Sequence, residues 1–122
     1  MKNNDRESLL NCSFAKVQKI VSGKWNMLII YLLSKGTLRF GELHRSLPTM
    51  TQATLSKQLK MLEEYGIINR YVYNQIPPKV EYSLTEIGQK FLPVLKELEK
   101  WSNEYEEYEN NDLVFSLLNG KA

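Results

Sequence analysis

Thiol and imidazole chemistry is almost missing from this chain of 122 residues, which holds one cysteine, Cys12, and one histidine, His44. A lone cysteine excludes an intrachain disulfide and a thiolate zinc site built within a single chain. His44 reads as a partly exposed surface histidine. No glycine-rich phosphate loop is present, and no serine stands in a nucleophile-elbow pattern. Catalytic ingredients this sparse point to a binding module rather than an enzyme, with no catalytic residue and no metal ligand to name.

Long apolar runs are lacking too. The most apolar stretch, Trp25 to Leu33, is interrupted by Asn26 and is too short to span a bilayer. Met1 to Glu7 does not lead into the apolar core of a signal peptide. The expectation is a soluble intracellular protein with no membrane partner. Its residues 1–122 would form a single domain large enough to bury a core without staples.

What the chain does have is a divided charge. Residues 1–84 hold 12 Lys/Arg against 6 Asp/Glu, while residues 85–122 hold 4 against 8. A basic front and an acidic tail suggest that one end meets a polyanion.

The basic part is organised around Thr51 to Leu62. There Leu55, Leu59 and Leu62 repeat at i, i+4 and i+7, one buried stripe of a helix. At 100° per residue, Ala53, Ser56, Lys57 and Lys60 point the other way. A small, polar and basic face on a helix suits the DNA major groove. Just before it, Phe40, Leu43 and Leu47 share a face of a short helix that exposes Arg39, Glu42 and Arg45, and Pro48 forces a turn. Two helices joined this way, over about 40–65, make a helix-turn-helix.

Upstream, Phe14, Val17, Ile20 and Val21 predict a helix from Asn11 to Val21, broken at Ser22-Gly23. A second helix from near Lys24 to Lys35 carries Trp25, Leu28, Ile29, Leu32 and Leu33, widened by Ile30 and Tyr31, and stops at Gly36. These N-terminal helices occupy about 11–35, and Trp25 reads as a core anchor.

Downstream, Ile68 to Gln75 alternates with period two, Ile76-Pro77-Pro78 turns, and Lys79 to Leu84 returns. A hairpin at 67–84 after a helix-turn-helix is a wing, whose tip from Asn74 to Lys79 can follow the sugar-phosphate backbone or enter the minor groove.

Thr85 reads as an N-cap for a helix over 85–110 carrying Ile87, Phe91, Leu95, Leu98, Trp101 and Tyr105. Pro93 predicts a kink in it. Asn110-Asn111-Asp112 is expected to end it, before a last apolar turn from Leu113. The stripe is longer than a small domain can cover, so a second copy of the chain is the expected partner.

The fold class is therefore mainly α with a small β-hairpin, a winged helix-turn-helix dimerised through its terminal helices. Thr51, Gln52, Ala53, Thr54, Ser56, Lys57 and Lys60 would approach base edges and adjacent phosphates. Arg39, Arg45 and Lys79 would hold phosphates, and Phe91, Leu95, Leu98, Trp101 and Tyr105 would dimerise.

Cys12, Gly23-Lys24-Trp25, Leu38-Arg39-Phe40 with Glu42-Leu43, and Leu55-Ser56 with Leu59 and Leu62-Glu63 stand in order. Pro78 with Val80-Glu81-Tyr82, and Leu84-Thr85-Glu86 with Gly88, follow. Together these motifs, over roughly residues 12 to 105, resemble the HxlR family of MarR-related bacterial winged helix-turn-helix regulators. The resemblance implies a cytoplasmic homodimer on a pseudo-palindromic operator, with recognition helices roughly 34–36 Å apart and no obligatory cofactor. Two positions depart from the family: Ser13 stands where proline is frequent, and Ala53 where many members carry lysine. Ala53 offers apolar contact to a thymine methyl instead.

The early cysteine senses oxidants or electrophiles in some members of that family, and Cys12 matches it. Its place at a helix start, one turn before Lys16, favours a thiolate. With no second cysteine, oxidation would join two subunits or take a small-thiol cap. Cysteine is equally a small core hydrophobe, and both readings of Cys12 stay open. The leading function is a dimeric, sequence-specific transcription regulator, acting as a repressor. Two others stand beside it: a winged-helix protein-interaction module, and a sensor of small aromatic ligands using Tyr71, Tyr73 and Trp101.

Overall fold

A computed structural model of the chain describes residues 13–23 and 25–119; Cys12 and Lys24 lie outside them. The contacts divide the chain into two compact units, Met1–Lys90 and Phe91–Ala122.

The first unit runs α1 (Ser13–Val21), α2 (Asn26–Leu33), β1 (Leu38–Arg39), α3 (Phe40–Ser46), α4 (Gln52–Glu64), β2 (Ile68–Tyr73), β3 (Lys79–Leu84) and α5 (Glu86–Lys90). Its core gathers Ile29, Ile30 and Leu33 of α2, Leu43 of α3, and Leu55, Leu59 and Leu62 of α4. Leu47 and Met50 of the turn between α3 and α4 join them, with Ile67, Ile68, Tyr82 and Leu84 from the sheet side. Each fully buried leucine contributes about 1.5–3 kcal/mol relative to leaving it in water.

The hairpin expected at 67–84 is there, and it gains a third strand. Leu38-Arg39 pairs antiparallel with β3, Leu38 opposite Tyr82 and Arg39 opposite Glu81, so the sheet order is β1-β3-β2. Between β2 and β3 the register places Ile68 opposite Leu84 and Arg70 opposite Tyr82; Tyr71 faces Glu81 and Tyr73 faces Lys79. Side chains alternate across a strand. One face therefore carries Ile68, Arg70, Tyr82 and Leu84, and the other Tyr71, Tyr73, Lys79 and Glu81.

Thr85 caps α5 as expected, its Oγ1 accepting from Gly88 N at 3.1 Å. The same hydroxyl lies 2.6 Å from the Gly66 carbonyl oxygen, to which it donates. Thr85 N donates to Ile67 O at 3.0 Å. The start of α5 is thus tied to the chain just after α4, where Gly66 takes φ +75°.

Several expectations are corrected. In α2 the buried residues are Asn26, Ile29, Ile30 and Leu33, while Leu28 and Tyr31, expected in the apolar stripe, are exposed. Asn26, fully buried, replaces the apolar anchor because its Nδ2 donates to the Ile20 carbonyl at 2.7 Å, satisfying an oxygen in the last turn of α1; Trp25 is only half-buried. The single helix over 85–110 is interrupted at Phe91, and α6 begins at Leu92. Pro93 consequently falls in a first turn, where no intrahelical donor is needed, and does not kink a helix interior. Asn110-Asn111-Asp112 does not end the helix.

The second unit is α6 (Leu92–Leu118), continuous through that polar triplet. Phe91 and Leu95 are half-buried, whereas Val94, Leu98, Trp101, Tyr105 and Tyr108 are exposed. Trp101 stacks on Tyr105 with centroids 5.2 Å apart, and Tyr105 leans on Tyr108 at 6.2 Å.

Candidate nucleic-acid interface

The site is built on α4. Thr51, with extended backbone, is its N-cap: Oγ1 accepts from Thr54 N at 3.1 Å and donates to Thr54 Oγ1 at 2.8 Å. A cap of this kind stabilises a helix start by about 1 kcal/mol. The turn before it is pinned by His44, whose Nε2 lies 2.8 Å from the Met50 carbonyl oxygen. A carbonyl only accepts, so the contact requires a proton on Nε2. His44 therefore does more than occupy surface; it fixes the angle at which α4 leaves α3. Glu42 adds to this by accepting from Arg39 N at 3.0 Å at the start of α3.

With Leu55, Leu59 and Leu62 anchoring one side, the opposite side of α4 presents Gln52, Ala53, Ser56, Lys57 and Lys60, all exposed. Thr51 is exposed with its hydroxyl engaged, and Thr54 is half-buried. Arg39 and Arg45 are exposed and line one shallow hollow with Gly41 and Glu42.

Lys79 differs from the free cation expected at the wing tip. It is the first residue of β3, its ammonium 2.8 Å from Glu81 Oε1 and 4.5 Å from the centre of the Tyr73 ring. The tip itself is Asn74 to Pro78, with Ile76 wholly exposed. The hydrogen bond from Lys79 holds the Glu81 carboxyl below the usual carboxylate range against an opposing desolvation cost. The Lys79 charge, the Tyr73 hydroxyl at 3.2 Å and the Arg39 charge add to that lowering.

Arg70 was not among the candidate residues. It stands exposed on β2, across a cleft from Ser56, Lys60 and Glu63 of α4. Strand alternation assigns it to the same face as buried Ile68, which hid it. Tyr71 and Tyr73, on the other face, meet edge-on at 4.6 Å. Among the described residues no cluster of three or more His, Cys, Asp or Glu could hold a metal ion, and no helix is long and apolar enough to cross a membrane.

An N-capped helix with a basic outward face, held by a short preceding helix and followed by a β-hairpin, defines a winged helix-turn-helix DNA-binding protein. The HxlR-like helix-turn-helix family model matches residues 20–110. The chain belongs to the HxlR family of transcription regulators. It is 43% identical over 99 residues to the HTH-type transcriptional regulator YkvN of Bacillus subtilis, covering 81% of this chain and 84% of that one. The redox regulator HypR in its reduced form has a similar structure, with a TM-score of 0.77 and 36% identity over 82% of this chain and 99% of that one. The reduced form of the transcriptional regulator YodB from B. subtilis matches with a TM-score of 0.70 and 34% identity, over 77% of this chain and 93% of that one.

Proposed function

We propose that this regulator is a cytoplasmic homodimer that binds a pseudo-palindromic operator and represses by occupying it. The observation that carries the reading is the outward face of α4, where Gln52, Ala53, Ser56, Lys57 and Lys60 are all exposed over a fully buried leucine stripe. Thr51 and Thr54 would lie at the helix entry, Arg39 and Arg45 would hold phosphates, and Ala53 would meet a thymine methyl. Lys79 would join them only after leaving Glu81.

Dimerisation would use α6, whose exposed Leu98, Trp101 and Tyr105 continue the half-buried Phe91 and Leu95. An aromatic stripe of this length left in water is the mark of an interface. The chain would act as one functional domain in which about 11–35 supplies the N-terminal helices, 40–65 recognises DNA, 67–84 forms the wing and 85–110 serves dimerisation.

Cys12 is the proposed point of response to oxidants or electrophiles. The support is its position in the sequence and the similarity to HypR, a redox regulator. With one thiol per chain, its oxidation product is either a bridge between subunits or a mixed disulfide.

Selection of bound duplexes from a randomised pool, with reduced protein at near-physiological salt, tests the reading. Recovery of an inverted repeat with half-sites one helical turn apart is the expected result. Recovery of sequence-blind, salt-sensitive binding alone would overturn it.

A further inference from the structure

Between α4 and the sheet lies a cleft of about 340 Å³ lined by Ser56, Leu59, Lys60, Glu63, Arg70 and Tyr82. Its construction follows from two periodicities. Ser56, Lys60 and Glu63 succeed one another at i, i+4 and i+7, so they form one wall along α4. Arg70 and Tyr82 are cross-strand partners on a single face of the sheet, so they form the other. Leu59 and Tyr82, both buried, close the floor.

The floor is apolar and the rim is charged. Neither Lys60 nor Arg70 has an ion-pair partner among the described residues, although Glu63 stands on the same rim. Along the α4 wall the Ser56 hydroxyl stands at one end, the Lys60 cation next and the Glu63 carboxylate at the other, one turn beyond Lys60, with Arg70 on the facing wall. An anion therefore seats toward Ser56 and Lys60 and is kept from Glu63 by repulsion. Arg70 presents a planar fork that matches phosphate oxygens, and Lys60 a point charge. Ser56 and Lys60 also belong to the outward face of α4, so the cleft opens where a duplex lies when that helix is in the major groove.

We infer that this cleft seats one backbone phosphate of the bound duplex, held between Arg70 and Lys60 with Ser56 as a donor. Arg70 thereby positions the wing side of the domain on the strand that flanks the recognition helix. The carboxylate of Glu63 limits how far along the cleft the phosphate can settle, which fixes register. The inference rests on the DNA-binding reading above and adds Arg70 on β2, a contact that belongs to neither the helix face nor the wing tip.

The test is binding of the full chain to the selected duplex and to a scrambled duplex across a salt series, for wild type, Arg70→Ala, Arg70→Lys and Glu63→Gln. Losing one phosphate contact lowers the slope of log affinity against log salt by about one, on both duplexes alike. Arg70→Ala is expected to show that loss, Arg70→Lys to restore the slope while binding more weakly, and Glu63→Gln to bind both duplexes more tightly. Thermal melting of each variant shows that it is folded. Should Arg70→Ala not fold, Arg70→Lys and Glu63→Gln decide. If wild type binds and the variants keep its affinity and slope, the cleft is not a phosphate seat and the DNA-binding reading stands. If the Arg70→Ala loss is confined to one base-pair position, Arg70 reads a base and the inference is wrong. If wild type binds neither duplex, both readings fall.

Discussion

The ammonium of Lys79 and the carboxylate of Glu81 lie 2.8 Å apart on one face of the wing, two residues apart on the same strand. Side chains at i and i+2 share a face of a strand, so the pair is a direct product of the alternation that forms β3. Its effect is to neutralise the cation nearest the wing tip. The hydroxyl of Tyr73, opposite Lys79, also reaches Glu81 at 3.2 Å, which keeps the carboxylate in place.

That pair makes stability depend on pH with a definite sign. The Glu81 carboxyl is lowered chiefly by the Lys79 hydrogen bond. A lowered carboxyl stabilises the fold fully above its unfolded value and loses that contribution as pH falls through its folded value. Melting temperatures of wild type and Glu81→Gln are therefore expected to differ at neutral pH and to converge in acid, below the usual carboxylate range. A difference unchanged down to that range would show that the ion pair does not stabilise the wing.

Among the described glycines, Gly88 leaves the least room for a side chain. A Cβ built there would lie 2.3 Å from the Ile67 carbonyl oxygen and 3.3 Å from a Leu84 methyl carbon. The neighbour is backbone, already accepting from Thr85 N, so it has little room to move. Gly88→Ala is expected to destabilise by about 1–3 kcal/mol, the usual cost of overpacking, despite the roughly 1 kcal/mol that alanine gains in a helix. Chemical denaturation measures this, and an alanine variant as stable as wild type would mean that α5 is not clamped to Ile67.

Much of the fold was legible because its signals are local. The leucine stripe of α4, the Thr85 cap and the period-two strands of the wing each follow from neighbours within one or two turns. What was not legible depends on contacts distant in sequence. Leu28 and Asn26 trade places in α2 because a carbonyl of α1 needs a donor, and no periodicity shows that. Strand β1 exists only because β3 offers an unpaired edge. The exposure of Arg70 was hidden for a related reason: alternation puts it on the core face, and only the packing of α4 shows that the core ends before reaching it.

Lys57 stands exposed on α4, one residue from Ser56, clear of every ion pair among the described residues. Lys57→Ala is expected to weaken operator binding. A loss of about 1–3 kcal/mol with relaxed preference at one base pair assigns it to a base edge. A salt slope lowered by about one on every duplex assigns it to a phosphate. Titrations on operator and scrambled duplexes at several salt concentrations separate these outcomes. Unchanged affinity and slope would remove Lys57 from the interface.

Trp101 is 61% exposed yet stacked on Tyr105, an arrangement that spends side-chain freedom on a surface open to water. Such a pair is worth keeping where a second surface closes over it, and buried tryptophans dominate the energetics of interfaces. Charge placed in that stripe would have to be desolvated on association, whereas in a monomer it would sit in solvent. Trp101→Glu is therefore expected to raise the dimer dissociation constant by at least roughly 30-fold, the equivalent of about 2 kcal/mol at an interface hot spot. Its helical circular dichroism at concentrations where wild type dimerises should stay close to that of wild type. Sedimentation over a dilution series reads the change directly. A variant that remains dimeric over the same range would move the interface away from this stripe, and Phe14 and Leu28, exposed on α1 and α2, would be the next positions to charge.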